Sequence, residues 1–419
     1  MTSSARSKSS KKQPDSQAPV IVQIIPVLGA GGAEQGCVDV AAELVRAGAV
    51  SIVISNGGHR VPEILRAGSQ HISMPVDSKN PYVMWRNSHR LRKIITKQKV
   101  DIVHVRSRAP AWSALWACKG TTARFMSTCH APYNFKEGFW GRLKQRYNSG
   151  IAKGVRVIAI SHFVADYLRN NYEIDPRNIR IIHRGIALEK FHPTAVSAER
   201  MIKLSRAWRL PDGMNVVMMP GRLTRWKGHH ILIDAMKRLN RPDTICVLIG
   251  SDQGRKEYRT ELEETVKAQG LEGKIRIVDH CNDMPAAYMM ATVVVSASIE
   301  PEGFGRIAAE AQAMGRPIVA TDHGGSRETI IRGETGWLVP PNDAAALANS
   351  IQDALNLDPA HRAMLATHAM MHIADNFTRE RMTAQTLAVY TELLDERTIH
   401  SQNVKTPDLH LTHIATAAE

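Results

Sequence analysis

Long hydrophobic runs are missing from this sequence. No apolar stretch approaches the roughly 18 to 20 residues needed to span a bilayer. Residues 1–19, MTSSARSKSSKKQPDSQAP, contain no apolar segment of the kind found in a secretory signal and read as a disordered basic tail. Cysteines are few and scattered (Cys37, Cys118, Cys129, Cys246, Cys281), with no Cys-x-x-Cys pair. Buried free thiols in a reducing cytosol fit this pattern better than disulfides or a zinc site. Aromatic residues make up only 5% of the chain, while Ala, Ile and Val are plentiful, which suits an α/β protein. No Gly-x-x-x-x-Gly-Lys-Ser/Thr phosphate loop appears, and no Asp-x-Asp or other close carboxylate cluster suggests a metal.

Charge is abundant but uneven. Of the 54 Lys and Arg, 30 fall in residues 1–200 against 13 Asp and Glu; residues 201–419 hold 24 against 27. A basic half beside a mildly acidic one points to an anionic partner for the first half alone. At 419 residues the chain exceeds one ordinary core and implies two domains.

Apolar runs alternate with helical patterns throughout. In the first half the strand-like pieces are 20–25, 50–55, 100–105, 123–128, 155–160 and 179–183, with helices such as 33–47, 82–99 and 162–170 between them. The second half repeats the scheme at 215–220, 244–250, 274–279, 292–297, 317–321 and 336–339. Strand–helix alternation implies parallel sheets covered on both faces. Two doubly wound sheets result, joined near 184–196, where RGIALEKFHPTA breaks the pattern. Ligands of such sheets lie beyond the carboxyl ends of the strands, so a cleft between the domains should hold the site.

Three strand-end loops carry the chemistry. LGAGGAEQG (28–36) opens a helix with glycines that permit close approach of an anion. It matches a dinucleotide loop poorly, because Glu34 stands where the third small residue belongs, and the second strand ends SNGG without a ribose-holding acid. GRLTRWKG (221–228) places Arg222 and Lys227 before a helix, where cations oppose the dipole unless they share an anion. Two exposed surface cations are the plainer alternative. EPEGFGRIAAE (300–310) turns from a buried strand into a helix, with unpaired backbone N–H groups near 303–306 and carboxylates at Glu302 and Glu310. Carboxylates flanking a bound diphosphate would accept hydrogen bonds from sugar hydroxyls.

Taken in order, GRLTRWKG, EGFGRIAAE, EAQAMGRPIVAT, GGSRETI and GETGWLVP resemble the retaining glycosyltransferases of the GT-B fold, group 1 and family 4, in particular bacterial lipopolysaccharide core enzymes. The likeness runs from about residue 20 to 395. It implies two Rossmann-like domains facing across a cleft. The first, acceptor-binding, would comprise 20–190 plus a crossover helix at about 378–395. The second, 196–377, would bind the donor, and 396–419 would form a polar tail. It further implies a nucleotide-diphosphate-sugar donor, UDP-linked by preference and GDP-linked as the alternative, with no cofactor and no metal. Arg222 and Lys227 would hold the diphosphate, Glu310 the ribose, and Glu302 with the backbone of Gly303, Phe304 and Gly305 the donor sugar. The turn at Val278, Asp279 and Met284 would wrap the base, and Gly31 and Gly32 would close on the phosphates. His130, in TCHAPYN, matches a histidine near the donor sugar, although Ala131 replaces a common glycine. Arg184 and Ala187 depart from the asparagine and aspartate of many relatives.

The stretch 133–147, YNFKEGFWGRLKQRY, and the basic stretch 85–99 suit an anionic membrane interface. The expected acceptor is then a lipopolysaccharide or another envelope glycan or lipid, and the expected location is the inner face of the cytoplasmic membrane. A basic nucleic-acid binder is the non-enzyme alternative, but it leaves the C-terminal anion loops without a role, so no nucleic-acid partner is expected. A nucleotide-sugar epimerase or a phosphorylase on the same fold is the other enzymatic reading.

Overall fold

The computed structural model describes residues 18–133, 138–254 and 256–396, and the backbone of 397–404. The expected tail 1–19 lies outside the described residues except for 18 and 19, and so do Phe135 and Lys136 of the aromatic basic stretch. Of the expected tail 396–419, residues 396–404 continue the helix Arg379–Val404 and the rest lie outside the described residues.

The first sheet has seven parallel strands: β1 (Val20–Ile24), β2 (Val50–Ser55), β3 (Gln70–Ser73), β4 (Ile102–Val105), β5 (Arg124–Cys129), β6 (Arg156–Ala159) and β7 (Ile179–Ile181). Their order is β3-β2-β1-β4-β5-β6-β7. The second sheet has six: β8 (Asn215–Pro220), β9 (Thr244–Ile249), β10 (Ile275–Val278), β11 (Val293–Ser296), β12 (Ile318–Thr321) and β13 (Trp337–Val339), in the order β10-β9-β8-β11-β12-β13. Twelve of these strands match the apolar runs of the sequence. The thirteenth, β3, has no buried residue and sits at the sheet edge, so it carries no apolar run to announce it.

Both faces of each sheet are covered, which is why its strands read as nearly continuous apolar runs. In β1, Val20, Val22 and Ile24 face one core cluster and Ile21 the opposite one. The second cluster includes Met382, Val389, Tyr390 and Leu393 of the helix Arg379–Val404, so the C-terminal helix completes the first domain's core. The two connections between the domains run side by side. The Ile186 amide donates to the Phe377 carbonyl at 2.8 Å, and the Arg379 amide donates to the Ile186 carbonyl at 3.0 Å.

Each sheet reverses its strand order once, between β1 and β4 and between β8 and β11. Such switch points open a crevice at the strand carboxyl ends. Gly31 follows β1 and Arg106 follows β4; Lys227 follows β8 and Glu302 follows β11.

Candidate active site

The loop after β8 runs Gly221–Arg222–Leu223–Thr224, makes a single tight turn at Arg225–Lys227, and enters the helix His229–Leu239 through Gly228 in a left-handed conformation (φ 74°). A Cβ on Gly228 would overlap the Ala297 carbonyl, so only glycine lets this loop lie against the one after β11. The Ile299 amide donates to the Trp226 carbonyl at 2.7 Å and joins the two loops. Lys227, 7% exposed, is thereby delivered to Glu302, and the two form an ion pair at the switch point. The Lys227 Nζ also lies 4.4 Å from the Trp226 ring centroid. Glu302 Oε1 accepts a second hydrogen bond from Ser298 Oγ at 2.6 Å. Burial pushes the Glu302 carboxyl up, but the Lys227 charge and the two hydrogen bonds outweigh it and hold the group below the usual carboxylate range. Arg222 is exposed, and its side chain has no hydrogen bond or ion pair among the described residues.

Glu310 lies on the helix Arg306–Ala313, whose N-cap Gly305 (φ 83°) offers no side-chain cap, leaving the first backbone N–H groups for another acceptor. Its carboxylate is gripped from both sides, by Tyr288 Oη at 2.9 Å and by Arg306 Nε at 2.6 Å. Neither partner was identified from the sequence. The Arg306–Glu310 spacing of four on a helix was a legible signal, whereas Tyr288 comes from another helix and left none.

The cleft is narrow at this point. A Cβ on Gly303 would overlap the His130 carbonyl oxygen, and Ser161 Oγ donates to the Gly303 carbonyl at 2.6 Å. His130 lies just past β5. Its ring meets no side-chain hydrogen-bond partner among the described residues, only the backbone of Arg106. Burial, with Arg184 and Arg106 nearby, keeps the imidazole neutral, its pKa well below the ordinary histidine value. Gly31 caps the helix Gly32–Arg46 from the first domain, and Gly32 lies under the Arg306 guanidinium.

Two of the expected donor residues have side chains engaged within the protein. The Phe304 side chain does not reach the cleft: it is 4% exposed and packs on Phe377 and His183, with centroids 5.6 and 6.2 Å away, so only its backbone faces the turn. Asp279 is tied to Arg259 at 2.6 Å. Val278 and Met284 flank the same turn at the carboxyl end of β10, two strands from the switch point; Met284 opens the helix Met284–Met290 and packs on the core.

A further contact joins the domains at Glu328, from the motif GGSRETI. It accepts the His162 and Phe163 amides at 2.8 and 2.9 Å and pairs with His183 Nε2 at 2.8 Å. His162, His183 and Glu328 are the one group of three potential metal ligands among the described residues, and both Glu328 oxygens already accept protein hydrogen bonds.

Residues 30–190 match the family model "Glycosyltransferase Family 4" and residues 201–369 match "Glycosyl transferases group 1". A solved glycosyltransferase from Rickettsia africae is 36% identical, with a TM-score of 0.82 over 90% of this chain and 99% of that one. The chain belongs to the group 1, family 4 glycosyltransferases. This glycosyltransferase also shares its fold with an Anabaena protein solved in complex with UDP-glucose (TM-score 0.77, 21% identity, 89% and 99% coverage). Among curated proteins it is similar to the D-inositol 3-phosphate glycosyltransferase of Salinispora tropica, 32% identical over 59% of this chain; the match spans about half, 52%, of that relative. The GT-B architecture expected from the motifs is thus present. Membership of the group 1, family 4 enzymes is as expected, while these curated relatives are named D-inositol 3-phosphate glycosyltransferase and not lipopolysaccharide core enzymes.

Proposed function

We propose that the enzyme transfers a hexose-type sugar from a nucleotide-diphosphate-sugar, with retention of configuration, to a lipopolysaccharide or another envelope glycan or lipid. The observation that carries the donor assignment is the grouping of Lys227, Glu302 and the uncapped helix start at Arg306 around one switch crevice, with Glu310 held a turn further along that helix. Cleaving the sugar–phosphate bond builds negative charge on the leaving oxygen. Arg222, Lys227 and the backbone N–H groups at 303–306 supply fixed positive charge and dipoles for it, a contribution on the order of 3 kcal/mol per contact in barrier. Glu302 keeps Lys227 aimed at the phosphates and faces the donor sugar with the Gly303–Gly305 backbone. Glu310, fixed by Tyr288 and Arg306, accepts from the ribose hydroxyls, and the turn 278–284 borders the base. His130, neutral, lies on the acceptor side beside the donor sugar.

Because arginine, lysine and helix dipole together provide the charge that a metal would otherwise supply, transfer proceeds without a divalent ion. Full activity in EDTA supports this; loss in EDTA with rescue by magnesium refutes it. Thermal-shift screening of UDP- and GDP-sugars identifies the donor, with stabilisation by UDP-sugars expected. Release of free nucleotide only when an acceptor is added separates a transferase from an epimerase.

No helix among the described residues is long and apolar enough to cross a membrane. The acceptor is reached instead through peripheral contact of the first domain. Tyr82 and Trp85 on the helix Pro81–Lys97 and Phe139, Trp140 and Leu143 on Phe139–Asn148 are exposed, Trp140 by 80%, among Arg86, Arg90, Lys93, Arg142 and Lys144. Apolar side chains within a basic field suit anionic lipid. Salt-sensitive flotation with anionic liposomes is expected; its absence defeats this part of the reading.

A further inference from the structure

The crevice between β1 and β4 collects positive charge that the donor reading leaves without a ligand. The helix Gly32–Arg46 shows how closely the charges lie. Arg306 Nη1 is 3.4 Å from where a Cβ would stand on Gly32, and the two Nη atoms of Arg184 are 2.5 and 2.6 Å from the same point on Gly36. Four residues make about one helical turn, so both guanidiniums rest on one helix face, roughly 6 Å apart along it. Side chains larger than hydrogen at Gly36 would displace Arg184.

A third arginine is anchored to the next residue of the same helix. Arg106, 3% exposed, donates from Nε to Gln23 Oε1 at 2.6 Å, and Gln23 Nε2 donates to the Cys37 carbonyl at 3.3 Å. Gln23 is a polar residue in the otherwise apolar strand β1. The Arg106 Nη2 has no hydrogen-bond partner among the described residues, and the His130 ring meets only the Arg106 backbone. The Arg184 side chain makes no hydrogen bond or ion pair among them either. Burial, Arg106 and Arg306 lower Arg184 to about 9, while Asp39 and Glu34 on the helix oppose this. Arg306 alone has a close counter-ion, Glu310.

Like charges that are partly buried and incompletely paired are costly, and a single anion that bridges them offsets the cost. Arginine forks match the paired oxygens of phosphate or carboxylate. We propose that this crevice binds an anionic group, phosphate or carboxylate, carried by the acceptor. Arg106, His130 and Arg184 all follow strands of the first sheet, whereas the residues assigned to the donor diphosphate follow strands of the second. The assignment to the acceptor rests on that donor reading; the existence of the anion site does not.

The test is calorimetric titration of inorganic phosphate into the full-length protein at low salt, alone and saturated with UDP. One phosphate is expected to bind the UDP-saturated protein, and a second to occupy the donor diphosphate site when UDP is absent. Arg184→Gln is expected to weaken phosphate about tenfold or more, the scale of a charge-assisted hydrogen bond, and to leave UDP affinity within about threefold. Lys227→Met is expected to do the reverse. If Arg184→Gln does not fold, Arg184→Lys, which keeps the charge and loses the fork, is expected to weaken phosphate several-fold. Displacement of all phosphate by UDP would assign the arginines to the donor diphosphate and overturn the proposal, as would an unchanged affinity in the variants for the phosphate that binds alongside UDP. Failure of UDP to bind the wild type would instead overturn the donor reading, and the phosphate-only titration would still report on the arginines.

Discussion

The main chain of Gly303 lies against the main chain of His130, so close that a Cβ on Gly303 would overlap the His130 carbonyl oxygen. These residues lie in loops that follow strands of different sheets, and their contact sets the width of the cleft at the donor turn. Gly303→Ala is expected to part the domains here without unfolding either. Transfer should fall by about a hundredfold, the scale of a misplacement near 1 Å. Small-angle scattering should show a larger radius of gyration. Unchanged kinetics would mean that the cleft tolerates the methyl group.

Lys227 and Glu302 depend on each other. Lys227→Met leaves the Glu302 carboxylate buried without its counter-ion, a loss of roughly 3–5 kcal/mol in stability for pairs of this kind. Lys227→Met with Glu302→Gln removes both charges and should recover most of that loss in a urea melt. Transfer should stay depressed by orders of magnitude in both variants, because the cation that meets the leaving phosphate is gone. Near-normal turnover of Lys227→Met at saturating donor would contradict its assigned role.

Tyr288→Phe deletes one hydrogen bond to Glu310 and little else. Tyr288 is fully buried, and burial and the Glu310 charge together push its hydroxyl pKa well above the ordinary value, so it stays a donor at any working pH. A hydrogen bond to a charged group contributes about 1.5–3 kcal/mol. The variant should bind UDP about tenfold more weakly with kcat nearly unchanged, since Glu310 is assigned to the ribose and not to the bond that breaks.

Glu328 makes the domain seam sensitive to acid. Burial raises its pKa, but the His183 hydrogen bond and the Phe163 and His162 amides outweigh it and hold the carboxyl below its ordinary 4.5. A folded-state pKa below the unfolded one gives stability that is complete above the unfolded value and is lost as pH falls through the folded value. Between about pH 5 and pH 3.5 the wild-type melting temperature should therefore drop more steeply than that of Glu328→Gln. Parallel curves would show that the seam does not depend on this charge.

Much of this protein was legible in one dimension. Twelve of thirteen strands announced themselves because both faces of each sheet are buried; Lys227 and Glu302 stood out as charges in strand-end loops, and Glu310 as a carboxylate among small and apolar helix neighbours. The edge strand Gln70–Ser73 stayed hidden, since an exposed edge needs no apolar run.

What the sequence by itself determined is the succession of strands, helices and anion-ready turns, because these depend on spacings within one segment. Only the tertiary structure decided which residues share a charge. It joined Lys227 to Glu302 and turned Phe304 into the core. It also placed Tyr288 behind Glu310 and gathered Arg106, Arg184 and Arg306 along one helix. These partners are between 22 and 75 residues apart where a bond is recorded, and no local periodicity links them. Their meeting follows from the two switch points, where sheet order brings distant loops to one crevice.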